Sequence, residues 1–127
     1  MTPRETLSAA DAPAAVGPYS HAVRAQGLIF CSGQLPIDPE SGEITGGDAA
    51  AQARRCLLNL QAVCRAAGSD LARALRLTVY TTALEQFDAI NDAYAEFFPA
   101  EPPARVALGV AALPRGALIE IDAIVSA

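Results

Sequence analysis

The chain of 127 residues is poor in the residue types that bind polyanions. It contains no lysine and no tryptophan, only 6% of its residues are aromatic, and its formal net charge is −5. Binding to nucleic acid or to an anionic membrane depends on clustered positive charge, in single-strand binders with aromatic side chains between the charges. The composition therefore predicts that neither nucleic acid nor a membrane is a partner.

Metal-binding and disulfide patterns are also missing. The three cysteines, Cys31, Cys56 and Cys64, form no CxxC pair, and the single histidine, His21, has no second histidine or cysteine at metal-ligand spacing. If Cys56 and Cys64 share a helix, a rise of about 1.5 Å per residue places them about 12 Å apart, too far for a disulfide. We expect buried, reduced thiols and no bound metal.

Long apolar segments are absent as well. No run approaches the ~20 apolar residues that span a bilayer, and residues 1–15 lack the apolar core of a signal peptide. With 52% hydrophobic and 18% charged residues, the chain has the composition of a compact folded protein. We expect a cytoplasmic protein in which residues 1–127 form a single domain, with residues 1–15 as a loosely held N-terminal arm.

The first predicted helix runs from an N-cap at Asp48 to about Ala67 and is closed by Gly68. Apolar side chains recur along it at helical spacing, which predicts one buried stripe against a sheet. The members of this stripe are Cys56, Leu57, Leu60, Val63, Cys64 and Ala67.

The second predicted helix opens at Thr82 and Glu85, which have the spacing of a capping box, and it ends at Pro99. Its apolar stripe consists of Phe87, Ile90, Asn91, Tyr94 and Phe98. Asn91 is the polar member of this stripe, and a buried amide needs a hydrogen-bond partner. Two interpretations remain open, a structural bond to a loop and a place in the lining of a site.

Along the chain, the predicted elements follow the order strand, strand, helix, strand, helix, strand, strand. The central one covers residues 75–82, with Leu75, Leu77 and Val79 on one face. Two helices on one face of a mixed, mostly antiparallel sheet form an α+β two-layer sandwich. The other face would expose an apolar patch of a size that soluble monomers avoid. We therefore expect a homo-oligomer with sites at the seams between its copies.

The last two predicted strands carry the candidate chemistry. Arg105 shares a strand face with Ala107 and Gly109, which leaves a hollow with a cation at its rim. Glu120 and Asp122 share one face of the C-terminal strand, and a carboxylate on a neighbouring strand could serve as the base. The alternative is a solvated sheet face with a weak surface ion pair.

A second candidate position lies at the end of the apolar strand that covers residues 28–35. Ser32 and Gly33 follow its apolar part. A glycine late in a strand marks a bulge or a close approach of the backbone to a ligand. A simple strand terminus is the alternative interpretation.

Short motifs occur in a distinctive order along the chain. They are Gly17-Pro18-Tyr19-Ser20, Ser32-Gly33-Gln34-Leu35-Pro36, Thr78-Val79-Tyr80, Asn91-Asp92-Ala93-Tyr94 with Phe97-Phe98, Pro103-Ala104-Arg105, and Leu113-Pro114-Arg115-Gly116-Ala117 through Ile119-Glu120-Ile121. From about residue 15 to the C-terminus, this ordered set resembles the RidA (YjgF-type) family.

The resemblance implies a chorismate-mutase-like α+β fold and a homotrimer with sites between its subunits. It also implies hydrolysis of reactive 2-imino acids or enamines, such as 2-iminopropanoate, to 2-keto acids and ammonia. Pyridoxal-phosphate-dependent dehydratases release these imines, which would otherwise damage other enzymes. No cofactor is implied, because imine hydrolysis needs only a fixed carboxylate and a placed water.

The resemblance also implies roles for individual residues. Arg105 matches the arginine that grips the substrate carboxylate, as a planar guanidinium can do with two parallel hydrogen bonds. Glu120 matches the glutamate that orients or activates the attacking water, and Tyr19 matches the tyrosine that closes the pocket. Ala107 stands where many members have cysteine, so a nucleophilic thiol is not expected. The substrate-binding set is completed by Ser32, Gly33, Asn91 and Ala107.

Two other functions compete with the deaminase. One is a trimer that binds small carboxylates or acts as a chaperone without turnover; dependence of turnover on Glu120 would separate it from the enzyme. The other is the endoribonuclease activity associated with the family. It conflicts with the net charge of −5 and the lack of a basic surface interleaved with aromatic residues.

Overall fold

The computed structural model describes residues 3–127, which fold as one six-stranded sheet with two α-helices. The elements are β1 (Glu5–Leu7), β2 (Ala22–Ala25), β3 (Leu28–Gln34), α1 (Ala49–Ala66), β4 (Ala74–Thr81), α2 (Phe87–Ala95), β5 (Ala104–Gly109) and β6 (Ile119–Ser126). No helix in this range is long and apolar enough to cross a membrane.

The strand order is β1-β2-β3-β6-β4-β5, and every neighbouring pair is antiparallel except β4 with β5, which is parallel. Side chains alternate along β6 between buried and half-buried positions, beginning with the buried Ile119. The buried positions face the helices, and the alternate positions form a face without helices. The predicted α+β two-layer sandwich with a mixed, mostly antiparallel sheet is confirmed.

Helix α1 forms as the sequence predicts. The Asp48 carboxylate accepts a hydrogen bond from the Ala51 amide at 2.9 Å, which satisfies one of the free N–H groups of the first turn. Gly68 follows the helix with a φ of +79°, a left-handed conformation that glycine adopts without steric cost. All six residues of the predicted stripe are buried. The helix covers β6 and β3 and contributes the centre of the core.

The predicted face of β4 is wrong at one residue. Leu77 and Val79 are buried, but the Leu75 side chain is 48% exposed. The register of β4 against β6 shifts between Ala74 and Arg76. This irregularity inserts an extra residue and reverses the side on which Leu75 lies.

The predicted start of the second helix is also wrong. Thr82 forms a bend directly after β4 instead of capping a helix, and its amide donates to the Leu118 carbonyl at 3.1 Å. Helix α2 begins at Phe87 after a short 3₁₀ turn and has no side-chain cap at its N-terminus. It ends at Ala95, before Pro99. Its buried positions include Ile90 and Tyr94, whereas Asn91 is exposed.

The N-terminal segment differs from the loosely held arm expected over residues 1–15. Residues 1 and 2 of that prediction lie outside the described residues. Strand β1 adds to the edge of β2 and thereby satisfies backbone groups that a free edge would leave unpaired. Ala9 and Ala12 are buried, so the segment after β1 packs onto the body of the protein. The three cysteines are buried, as predicted, and unpaired.

Candidate active site

Arg105 is held against helix α2. It pairs with Leu77 of β4, which faces the helices. Its guanidinium carbon lies 4.9 Å from the ring centroid of Tyr94 and 5.4 Å from that of Phe87. Its Nη1 donates to the Asn91 side-chain oxygen at 2.7 Å. Ring faces attract a cation, so these contacts fix the position of the positive charge.

The Arg105 groove is an open cavity of about 400 Å³ beside this guanidinium. It is lined by Asn91, Tyr94, Ala95, Phe98, Pro102, Pro103 and Arg105. The partner of the Asn91 amide is therefore the arginine itself and not a loop. Burial raises the pKa of Tyr94, and the Arg105 charge acts in the opposite direction. The Tyr94 hydroxyl is buried without a hydrogen-bond partner among residues 3–127.

Glu120 lies on the face of the sheet without helices, where it pairs with Tyr80. Its carboxylate lies against the backbone of Gly33: a Cβ atom built on that glycine would be 2.5 Å from Oε2. Burial raises the pKa of Glu120, and the negative charge of Asp122 raises it further by a smaller amount. Asp122 is itself held by the Tyr80 hydroxyl, which donates to Oδ2 at 3.0 Å.

The Glu120 cavity has a volume of about 470 Å³ and a mostly apolar lining. It is lined by Pro13, Ala14, Val16, Tyr19, Ser32, Gly33, Gln34, Leu35, Ile37, Pro114, Arg115 and Glu120. A carboxyl group in such surroundings holds its proton at a higher pH than in water, which suits a group that exchanges protons with a substrate.

Asn59 of α1 positions one wall of the Glu120 cavity. This fully buried side chain donates from Nδ2 to the carbonyls of Leu35 and Ile37, at 3.1 and 2.9 Å. The Arg55 guanidinium donates a hydrogen bond to the side-chain oxygen of Asn59 at 2.9 Å, so both ends of the amide have partners. Asn59 was not among the residues predicted from the sequence, although it lies on the same helical face as Cys56 and Val63. A polar amide on an apolar stripe was the signal that could have identified it, as it did Asn91.

The structure divides the residues predicted from the sequence into two groups. Tyr19, Ser32, Gly33 and Glu120 line the Glu120 cavity, whereas Arg105 and Asn91 line the Arg105 groove. Ala107 lies two residues beyond Arg105, pairs with Val79, and lines neither of the two.

The sequence predicts that Arg105 and Glu120 lie on neighbouring strands, and this prediction is wrong. Strand β4 lies between β5 and β6. On β4, the residue paired with Arg105 is the fully buried Leu77, whose side chain lies under the helices. The residue paired with Glu120 is Tyr80, three positions after Leu77 on the same strand. Since side chains alternate along a strand, the two charged groups lie on opposite faces of the sheet. One chain therefore presents a cation and a carboxyl group at two separate places.

Known proteins match this chain over nearly its whole length. Residues 9–127 match the protein-family model described as endoribonuclease L-PSP. The RutC family protein y4sK of Sinorhizobium fredii is 51% identical over 122 residues, covering 96% of this chain and 97% of that protein. The 2-iminobutanoate/2-iminopropanoate deaminase of Bos taurus is 43% identical, covering 95% and 88%. The crystal structure of RidA from the Antarctic bacterium Psychrobacter matches with a TM-score of 0.91 at 40% identity, covering 97% and 99%.

Proposed function

The chain belongs to the YjgF/RidA family, and on that basis we propose that it is a 2-iminobutanoate/2-iminopropanoate deaminase. It hydrolyses reactive 2-imino or enamine acids, such as 2-iminopropanoate, to 2-keto acids and ammonia. It acts in the cytoplasm, the location expected from the sequence, and protects pyridoxal-phosphate enzymes from damage by these imines. The deaminase name of the bovine relative supports this reaction.

The observation that carries the proposal is the Glu120 carboxyl group, half-buried in an apolar cavity with a raised pKa. In the proposed reaction a water molecule attacks the carbon of the protonated imine, and the Glu120 carboxylate takes one of the water's protons, which gives a neutral carbinolamine. Glu120 then returns this proton to the carbinolamine nitrogen. The carbon–nitrogen bond breaks, ammonia departs, and the hydroxyl group gives its proton back to the Glu120 carboxylate as the keto group forms.

Arg105 binds the substrate carboxylate in this account. The guanidinium is stacked on Tyr94 and bonded to Asn91, so only a small loss of side-chain freedom accompanies binding. Fixing the carboxylate at one end of a small substrate also fixes the imine carbon, which is bonded directly to the carboxylate carbon. Tyr19 is half exposed at the mouth of the Glu120 cavity, where it is suited to close over the ligand.

We further propose that the active protein is a homotrimer whose sites lie between subunits. Support comes from the separation of Arg105 and Glu120 on opposite faces of one chain, which a second copy can overcome. The sheet face without helices also carries apolar side chains that a partner copy would cover. Phe30, Val106 and Leu108 are between 38% and 45% exposed.

The experiment generates imino acid in situ with an amino-acid oxidase acting on alanine, leucine or phenylalanine, and traps it as the semicarbazone. We expect the wild-type protein to lower the amount of trapped imine, and Arg105→Ala to abolish that effect. Arg54→Ala is the matched control, since Arg54 is an exposed arginine that pairs with Glu96 on the surface. Unchanged trapping with every amino acid would contradict the deaminase.

Glu120→Gln separates an enzyme from a protein that only binds carboxylates. The substitution keeps the shape of the side chain and removes its acid–base chemistry. We expect this variant to bind a 2-keto acid product but to lose turnover. Equal turnover in Glu120→Gln and wild type would contradict the proposed role of the carboxyl group.

A further inference from the structure

The segment between β1 and Tyr19 contains neither a helix nor a strand, yet it forms one wall of the Glu120 cavity. From here on, "the arm" means residues 8–16, a different range from the residues 1–15 that the sequence predicts to be loosely held. Pro13, Ala14 and Val16 of the arm line the cavity directly. The Val16 side chain is 83% exposed, so packing on the core does not hold this end of the wall in place. The buried Ala9 and Ala12 anchor the arm on the core, and polar contacts fix the rest of its path.

His21 makes polar contacts with the arm from the position just before β2. Its side chain is buried, and both ring nitrogens bond to the arm. Nδ1 accepts a hydrogen bond from the Ala9 amide at 2.8 Å, so it carries no proton. Nε2 therefore carries the proton of the neutral ring and donates it to the Pro13 carbonyl at 2.8 Å. The ring spans the arm at two points on either side of the buried Ala12.

The same residue is joined to the other side of the cavity through its backbone. The His21 carbonyl accepts a hydrogen bond from the Ser32 amide at 3.0 Å. The Ser32 hydroxyl donates to the preceding carbonyl, that of Ser20, at 2.6 Å. Gly33, which contacts Glu120, comes next in the chain. His21 thus connects the arm to the backbone that lies beside the Glu120 carboxylate.

We propose that His21 is a positioning residue that holds the arm as a wall of the Glu120 cavity and so sets the affinity for the substrate bound there. His21 does not itself line that cavity, so it acts through Pro13 and Ala14. The kinetic part of this inference rests on the proposed deaminase function. The part that concerns the arm does not depend on turnover.

The test compares His21→Leu, which can form neither bond, with His21→Gln, whose amide offers one acceptor and one donor. Leu71→Ala is the control for loss of stability, since Leu71 is buried in the turn before β4. In His21→Leu we expect KM for imine hydrolysis to rise about tenfold with kcat within about twofold of wild type, because two buried hydrogen bonds are lost. Exchange of the Ala9 amide with deuterium should become at least about tenfold faster. His21→Gln should return KM and the exchange rate of the Ala9 amide to their wild-type values, and Leu71→Ala should leave KM unchanged.

The inference is overturned if the Ala9 amide exchanges equally slowly in wild type and His21→Leu. It is also overturned if His21→Leu lowers kcat without changing KM, or if Leu71→Ala raises KM as much. Absence of turnover in the wild-type protein contradicts the proposed function instead. In that case the exchange rates of the two His21 variants still decide whether the imidazole holds the arm. If His21→Leu fails to fold, His21→Gln decides: arm exchange and KM unlike those of wild type would overturn the inference.

Discussion

Gly33 and Glu120 lie in direct contact, and the absence of a side chain on the glycine makes the contact possible. A Cβ atom at residue 33 would be 2.5 Å from Oε2, 3.1 Å from Cδ and 3.3 Å from Cγ of Glu120. The whole end of the glutamate side chain therefore occupies the space that a larger residue 33 would take. This contact defines where the carboxyl group lies in the cavity.

Gly33→Ala should displace the Glu120 carboxyl group and lower kcat by at least about tenfold, because catalytic groups must be positioned to within a fraction of an ångström. The clash involves the flexible end of a side chain, so the free energy of unfolding should change by less than about 1 kcal/mol. Steady-state kinetics and urea unfolding measure the two effects. Gly46→Ala is the matched control, since a Cβ there meets no atom within 4 Å. Equal kcat in both variants would contradict the positioning role of Gly33.

The rate should depend on pH through Glu120. A general base must be ionised, so kcat/KM should rise with pH through the Glu120 pKa, which lies above its ordinary value of 4.5. The Asp122 charge contributes to this shift after burial, so Asp122→Asn should move the acidic limb of the profile to lower pH without abolishing it. A pH–rate profile of the two proteins tests this. A limb that moves to higher pH would contradict the electrostatic account.

The same shift affects folding stability. The folded protein binds the Glu120 proton more tightly than the unfolded chain does. The resulting stabilisation is fully present below the unfolded pKa, and it is lost as pH rises through the folded pKa. Glu120→Gln should remove this part of the pH dependence, as measured by urea unfolding at a series of pH values. An unchanged pH dependence in the variant would show that Glu120 does not cause it.

Arg105→Lys should weaken binding of a 2-keto acid product by about tenfold or more, because an ammonium cannot make two parallel bonds to a carboxylate and stacks less well on Tyr94. The side chain is exposed, so thermal stability should stay close to that of wild type. Isothermal titration calorimetry measures the affinity. Arg54→Lys, on the other exposed arginine that contacts the α2 region, should leave the affinity unchanged. Equal affinities in both variants would argue against carboxylate binding by Arg105.

Asn59→Leu should lower the free energy of unfolding by about 2–4 kcal/mol, because the fully buried amide is removed and the carbonyls of the half-buried Leu35 and Ile37 lose their partner. Asn91→Leu removes an exposed bond and should cost less than about 1 kcal/mol. Urea unfolding of both variants measures the difference. A smaller loss for Asn59→Leu than for Asn91→Leu would contradict the structural role assigned to the buried amide.

Features encoded in adjacent residues could be predicted from the sequence. Helix α1 is one example, since its cap at Asp48 and its buried stripe lie within a single stretch of chain. The capping-box prediction at Thr82 failed because a distant carbonyl, that of Leu118, binds the Thr82 amide and holds the residue in the bend after β4. The exposure of Leu75 likewise depends on a register shift against β6, which no local pattern records.

The candidate site shows the same limit. Gly33 and Asn91 stood out in the sequence because each breaks the pattern around it, and the structure explains both through contacts with Glu120 and Arg105. The insertion of β4 between β5 and β6 depends on the order of strands in the sheet, and periodicity does not determine that order. A lone histidine also has no spacing to interpret, so the two bonds of His21 to the arm became visible only in three dimensions.

The most direct test of the central claim mixes two inactive variants, Arg105→Ala and Glu120→Gln. If each active site combines the Arg105 groove of one copy with the Glu120 cavity of another, co-refolding equal amounts should restore about a quarter of the wild-type imine hydrolysis, the fraction of seams that receive both intact residues. Each variant refolded alone should remain inactive. A mixture as inactive as its two components would contradict a deaminase site shared between copies of this chain.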